Sequence, residues 1–168
     1  TREYFWLWIS TIVILGTTGA LTVLYPEFSD LSPGILGVTI AAMSISTAIA
    51  VVVVAHAHLS PIPTIKGASL AMAAAVLCVF ISPVFFILVG AIAGVVMIAQ
   101  LAFLAESEDR QGVVMGLFNA ASYGGMTFLP FLAGFIAELT TFFIAFCIIA
   151  LFAVGVAFTI GRCRCRLS

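Results

Sequence analysis

Charge is what this sequence has least of: 8% of its residues are Asp, Glu, Lys or Arg, and none stands well inside a long apolar block. Soluble domains carry roughly a quarter charged residues, so a chain that is 64% hydrophobic with mean hydropathy +1.32 cannot cover a water-facing surface. Its solvent must be lipid. A net charge of −1 supplies neither a basic field for nucleic acid nor an acidic tail for a soluble partner, which excludes nucleic-acid binding. Ionisable groups at bilayer depth are the usual markers of proton relays and ion pathways, and that marker is missing too.

Reactive sets are equally scarce. There is no G-x-S-x-G elbow, no H-E-x-x-H, no P-loop and no pair of intramembrane carboxylates, so the chain reads as no enzyme, with no catalytic residue and no cofactor. His56 and His58, two apart, lack a third Cys, His or carboxylate nearby, and no metal site is expected. The 4 cysteines make no disulfide framework: Cys78 and Cys147 lie in apolar blocks as small hydrophobes, and Cys163 and Cys165 sit in a basic tail, where palmitoylation or metal binding is the lesser reading. No signal-peptide cleavage pattern follows Thr1-Arg2-Glu3, so the first apolar block reads as a retained span. Opening on Thr1 rather than Met suggests a processed chain or one cut from something longer.

What is present is six apolar blocks of about 20 residues, the length that crosses a bilayer as a helix. They are expected over about Tyr4 to Tyr25, ended by Pro26; Pro33 to Ala55; Pro63 to Ile81; Pro83 to Ala105; Gln111 to Ala137; and Thr140 to Gly161. Pro33, Pro63 and Pro83 each fall at a first turn, where the missing N–H costs nothing. Loops this short force successive helices to run antiparallel and leave one membrane domain over 1–168, closing on a basic tail, 162–168. Threaded in this way, Arg2, Lys66, Arg110, Arg162, Arg164 and Arg166 fall on one side and Glu27, Asp30 and Glu138 on the other. The positive-inside rule makes the first side, with both termini, cytoplasmic, in an integral protein of the inner or plasma membrane.

Helix 1 places Thr11, Thr18, Thr22 and Tyr25 on one face, which either lines a cavity or bonds back to its own carbonyls. Small residues Gly37, Ala41, Ser44 and Ala48 on helix 2, Gly90 and Gly94 on helix 4, and Gly116, Ala120 and Gly124 on helix 5 signal close helix packing. Helix 5 sets Asn119, Ser122, Tyr123, Met126 and Pro130 on one face, and Pro130, after Gly124-Gly125, is expected to bend it. Gln100 and Asn119 lie at similar depth and are expected to pair as amides, in preference to touching a ligand.

The run from Gly90 to Glu138 resembles a stretch of the major facilitator superfamily: a Gly-spaced helix, a charged loop with Arg110-Gln111-Gly112, then Met115-Gly116-Leu117-Phe118-Asn119, Pro130 and Gly134. Elsewhere the likeness rests on six spans and short loops. The resemblance implies two inverted three-helix repeats, about 4–81 and 83–161, as the C-terminal half of a twelve-helix transporter with its cavity between halves near the midplane. The loop joining helices 2 and 3 keeps only Lys66 and Gly67 of the family's motif, and Leu129 replaces the Gly usually placed before the Pro of helix 5. Carried over, Thr18, Thr22, Met97, Gln100, Asn119 and Tyr123 become cavity candidates, and Gly124, Gly125, Pro130 and Gly134 hinge candidates.

The implied function is alternating-access export of a small organic solute, with the lipid bilayer, that solute, and an N-terminal six-helix half or a second copy as partners. The rival is a non-transporting membrane subunit that docks a partner. If protons drive transport, their carrier lies outside these charge-free spans. Neutralising Glu106, Glu108 and Asp109 together is therefore expected to leave proton coupling intact in a liposome assay of the whole protein; lost coupling with retained folding would contradict this.

Overall fold

The computed structural model describes residues 5–57, 59–105 and 111–160. They form six helices, each long and apolar enough to cross a membrane: α1 (Phe5–Phe28), α2 (Pro33–Ala55), α3 (Pro61–Cys78), α4 (Phe85–Ala105), α5 (Gln111–Leu139) and α6 (Phe142–Thr159). The chain is an all-α membrane protein. Helix α2 starts where expected, with Pro33 at its first turn after an extended Ser32. Helix α3 begins earlier than expected, at Pro61 after an extended Ser60, because Pro61 tolerates the first helical position as well as Pro63 does. Thr141 caps α6 by accepting the Ile144 N–H at 3.3 Å, which moves the start past Thr140.

Pro26 does not end α1. The helix continues to Phe28, whose ring stacks on Phe80 at 5.0 Å and meets Phe142 and Phe146 at 5.3 and 5.8 Å. Tertiary packing of that ring outweighs the local cost of the proline.

Contacts fix the directions of the helices. Ser10, early in α1, meets Gln100, late in α4, whereas Tyr25, late in α1, meets Phe86, early in α4, so these two run antiparallel. Helices α1 and α5 run parallel, since Gly16 lies against Gly125 and Gly19 against Met126. Helices α2 and α4 are parallel too: Ser46 donates to the Ile87 carbonyl at 2.7 Å and Thr47 to the Gly90 carbonyl at 3.0 Å. The most extensive packing joins α1 to α5 and α2 to α4, with α3 lying along α4 and α6.

Backbone sits on backbone in both parallel pairs. A Cβ on Gly16 would meet the Gly125 carbonyl oxygen at 2.7 Å, and one on Gly125 would meet the Ile12 carbonyl oxygen at 2.5 Å. On α4, a Cβ at Gly90 would enter the Met43 carbonyl and one at Gly94 would lie 2.5 Å from the Thr47 oxygen. The glycines of helix 4 thus pack as expected, but two other stripes do not. Gly37, Ala41, Ser44 and Ala48 are exposed, as are Gly116, Ala120 and Gly124, and no atom lies within 4 Å of a Cβ built on Gly37, Gly116 or Gly124. Helix α2 instead turns Met43, Thr47 and Ala50 to α4, because that face brings two hydroxyl groups onto neighbouring carbonyls.

Rings tie together one end of the bundle. Tyr25, Phe28, Phe80, Phe86, Phe142, Phe143 and Phe146 join α1, the turn after α3, α4 and α6 on the side where Glu27, Asp30 and Glu138 are exposed. The opposite end is closed by mainly aliphatic packing, Leu7, Leu15, Ile65, Leu104, Val114 and Ile160 with the ring of Phe118 among them. Lys66 lies at that second end, half-buried; the other basic residues fall outside the described residues.

Gly90→Val is expected to force α2 off α4 and lower stability by about 1–3 kcal/mol, seen as a drop in the thermal unfolding midpoint of the purified protein. Gly116→Val, which enters open space, is expected to stay within about 0.5 kcal/mol of the parent. Equal midpoints for the two variants would contradict the close approach.

Candidate functional site

Lipid offers no hydrogen bonds, so each hydroxyl and amide in a span must find a partner inside the protein. On α1 the threonines take the nearest one. Thr11 donates to the Leu7 carbonyl at 3.0 Å, Thr18 to Leu15 at 2.7 Å, and Thr22 to Thr18 and Gly19 at 2.9 Å each. Thr11, Thr18 and Tyr25 are buried and Thr22 half-buried, so this stripe faces the bundle interior and its hydroxyls serve their own helix. Of the two readings of the stripe, the geometry matches back-bonding.

Gln100 on α4 is fully buried, at 0% exposure. Its Nε2 donates at 2.8 Å to the Oγ of Ser10, which itself donates at 2.7 Å to the Leu7 carbonyl. Asn119, the partner expected from depth alone, is exposed on α5. Depth along a helix says nothing about azimuth, and the α1 face of α4 is where Gln100 points. Its Oε1 is buried without any hydrogen-bond partner, a state that costs about 1–3 kcal/mol. Met97, one turn earlier, is half-buried against the aliphatic end cluster.

The α5 candidates divide. Ser122 and Pro130 are buried, with Ser122 donating to the Phe118 carbonyl at 2.8 Å, whereas Asn119, Tyr123 and Met126 are exposed. Gly125 is buried at the α1 crossing, Gly124 is exposed, and Gly134 sits in ordinary contact with Leu24 at 3.5 Å. Helix α5 runs unbroken through Pro130. That residue has no N–H to offer the Met126 carbonyl, and the same carbonyl faces Gly19 of α1. Of the four hinge candidates, Gly125 and Pro130 serve the α1 interface.

Asn119, Tyr123 and Thr127 follow one another at four-residue steps, forming a polar ladder on the outward face of α5. Tyr123 is 70% exposed and stands about 18 Å along the helix from Gln111, near the middle of a hydrocarbon core about 30 Å thick. A shallow, open depression of about 580 Å³ lies there, lined by Tyr123, Gly124, Thr127, Phe128 and Phe131. An amide or phenol facing lipid at that depth forgoes hydrogen bonding at a cost of several kcal/mol, so this face suits water or protein better than acyl chains.

The six cavity candidates therefore do not share one site. Thr18, Thr22, Met97 and Gln100 turn inward between helices, and Asn119 and Tyr123 turn outward. Thr127, Phe128, Phe131 and Ser10 belong to these surroundings and were not among the candidates. The four-residue step from Tyr123 was a usable signal for Thr127; a serine within an apolar block gave none for Ser10. His56 is exposed, its Nδ1 2.8 Å from the Val52 carbonyl, and His58 lies outside the described residues.

No protein-family model, no curated protein and no solved structure matches the chain.

Thr18→Val, which removes only a hydroxyl bonded to its own helix, is expected to shift stability by no more than about 0.5 kcal/mol. A loss above about 2 kcal/mol in a denaturation series would show that the Thr18 hydroxyl serves something beyond Leu15.

Proposed function

We propose that this chain is one six-helix half of a secondary transporter of the major facilitator kind, exporting a small organic solute by rocking against a second six-helix unit. The observation that carries this reading is a permutation in the packing. Exchanging α1 with α4, α2 with α5 and α3 with α6 carries the α1·α5 pair onto α4·α2, the α3·α4 pair onto α6·α1, and α3·α6 onto itself, while the α5·α6 packing has no comparable α2·α3 counterpart among the described residues. Since α1 and α4 run in opposite directions, the exchange also turns the membrane over, as two inverted three-helix repeats require. The glycines follow the same rule, with Gly16 and Gly19 of α1 playing against α5 the part that Gly90 and Gly94 of α4 play against α2.

A second support is the surface that the bundle leaves uncovered. The small-residue stripe of α2 and the polar ladder of α5 both face outward, so a second unit has both a packing face and a wettable one to meet. On this reading the aliphatic end, with Lys66, is cytoplasmic, and the ring-tied end faces out. The same small-residue stripes also favour the rival, a packing subunit without transport.

Accessibility separates the two. In the whole protein in proteoliposomes, Tyr123→Cys is expected to react with a water-soluble maleimide from each side in turn as the conformational cycle runs, while Leu151→Cys, exposed at the middle of α6, stays inert. Protection of Tyr123→Cys from both sides would overturn the transport reading and leave the docking subunit. Efflux of a solute panel from the same liposomes then defines the cargo.

A further inference from the structure

We infer that Gln100 is a positioning residue that keeps the aliphatic ends of α1 and α4 ready to part, a latch closed by one hydrogen bond and loosened by one orphaned acceptor. Three donor groups stand on the adjoining turn of α1 or on Gln100 itself, and none reaches Oε1: both hydroxyls are spent, and the amide nitrogen, which keeps one further hydrogen, cannot turn onto its own carbonyl. Ser10 Oγ–H is given to the Leu7 carbonyl at 2.7 Å, Thr11 Oγ1–H to the same carbonyl at 3.0 Å, and Gln100 Nε2 to Ser10 Oγ at 2.8 Å. Nothing is left for Gln100 Oε1, which is buried.

Reversing the amide does not help. Ser10 has one proton, so if it turned to Oε1 the Nε2 group, with two hydrogens, would become the buried orphan. One unmet polar atom is built into the closed arrangement whichever way the amide lies. Leu7, Ala99, Phe103 and Leu104 belong to the surrounding apolar cluster, so the closed state holds its α1–α4 contact there by packing while the amide opposes it. When the two helix ends separate, water reaches both amide atoms and the opposition is relieved. At the other end the same two helices meet through Tyr25 and Phe86, ring centroids 4.8 Å apart, and the unpartnered buried atom found there, Ser29 Oγ, follows the last residue of α1 rather than standing within either helix. The pair is therefore biased to open at the Gln100 end and pivot at the rings.

This bias gives the two partners opposite signs. An ordinary stabilising amide–hydroxyl pair weakens whichever partner is removed. Here Gln100→Leu removes the orphan and should tighten the closed end, whereas Ser10→Ala leaves Nε2 unmet as well and should loosen it. The probe is Ala99→Cys, at 3% exposure, in a chain whose 4 native cysteines have been replaced, labelled with N-ethylmaleimide in nanodiscs. Relative to the Gln100 parent, labelling is expected to slow by about tenfold in Gln100→Leu and to quicken several-fold in Ser10→Ala. The double variant should behave as Gln100→Leu, and Gln100→Met, a second apolar replacement of similar length, should repeat it. Unfolding midpoints are expected to move in step, up for Gln100→Leu and down for Ser10→Ala. Equal or faster labelling of Gln100→Leu, as a resident water on Oε1 would give, overturns the latch, and so does a common sign for the two single variants. No substrate enters the measurement, so the latch can fail or stand independently of the transport reading.

Discussion

Two patches of backbone lying directly on backbone govern this fold, one where α1 crosses α5 and one where α2 crosses α4. Lipid tails are as apolar as leucine, so no hydrophobic pressure pushes one span onto another, and helices in a bilayer associate through dispersion contact and hydrogen bonds. Both terms fall steeply with separation. Glycine lets them act at close range, and Gly16, Gly125, Gly90 and Gly94 stand at these crossings. Once α2 and α4 are that close, Ser46 and Thr47 reach carbonyls of the neighbouring helix, which they could not do across a leucine-lined contact. Shape and short hydrogen bonds thus hold together spans whose described charges stand only near their ends.

The remaining helices complete two unlike ends. Where Glu27, Asp30 and Glu138 emerge, seven rings from α1, the turn after α3, α4 and α6 meet edge to face, tilted or stacked, with Phe28 touching four of them. Such a cluster resists separation because each ring moved disturbs several contacts. The other end relies on aliphatic side chains and the incompletely bonded Gln100. The two ends are therefore held by different chemistry, ring packing at one and mainly aliphatic packing around a buried amide at the other.

All six spans were legible in the sequence because length and apolarity alone define them, and neither depends on tertiary context. The ends were less so. Pro26 obeys local rules that favour a stop, and what overrides them is the contact of Phe28 with rings more than fifty residues away. Inward and outward faces were hardly legible at all. In a soluble helix polarity marks the outer face, but in these spans apolar residues dominate nearly every face, so the Gly37 stripe and the Gly90 stripe look alike in sequence while one is bare and the other buried. The same ambiguity put Gln100 opposite Asn119 rather than Ser10. The polar ladder of α5 was half legible, since its spacing was visible and its direction was not.

Direction matters most for that ladder. Among the described residues the charged side chains, Glu27, Asp30, Lys66 and Glu138, stand at or near helix ends, so the mid-depth polarity on the outside of the bundle is the amide of Asn119 and the hydroxyls of Tyr123 and Thr127 on α5, with that of Ser44 on α2. Uncharged groups of this kind can orient a solute or meet the polar groups of a second helix, but they cannot carry a proton across neutral pH or balance a buried ion. A driving ion, if there is one, must find its charged partner beyond these spans. Within that division of labour, this bundle contributes shape, a bias between its two ends and a polar strip at mid-depth, and each is a property of how uncharged helices touch.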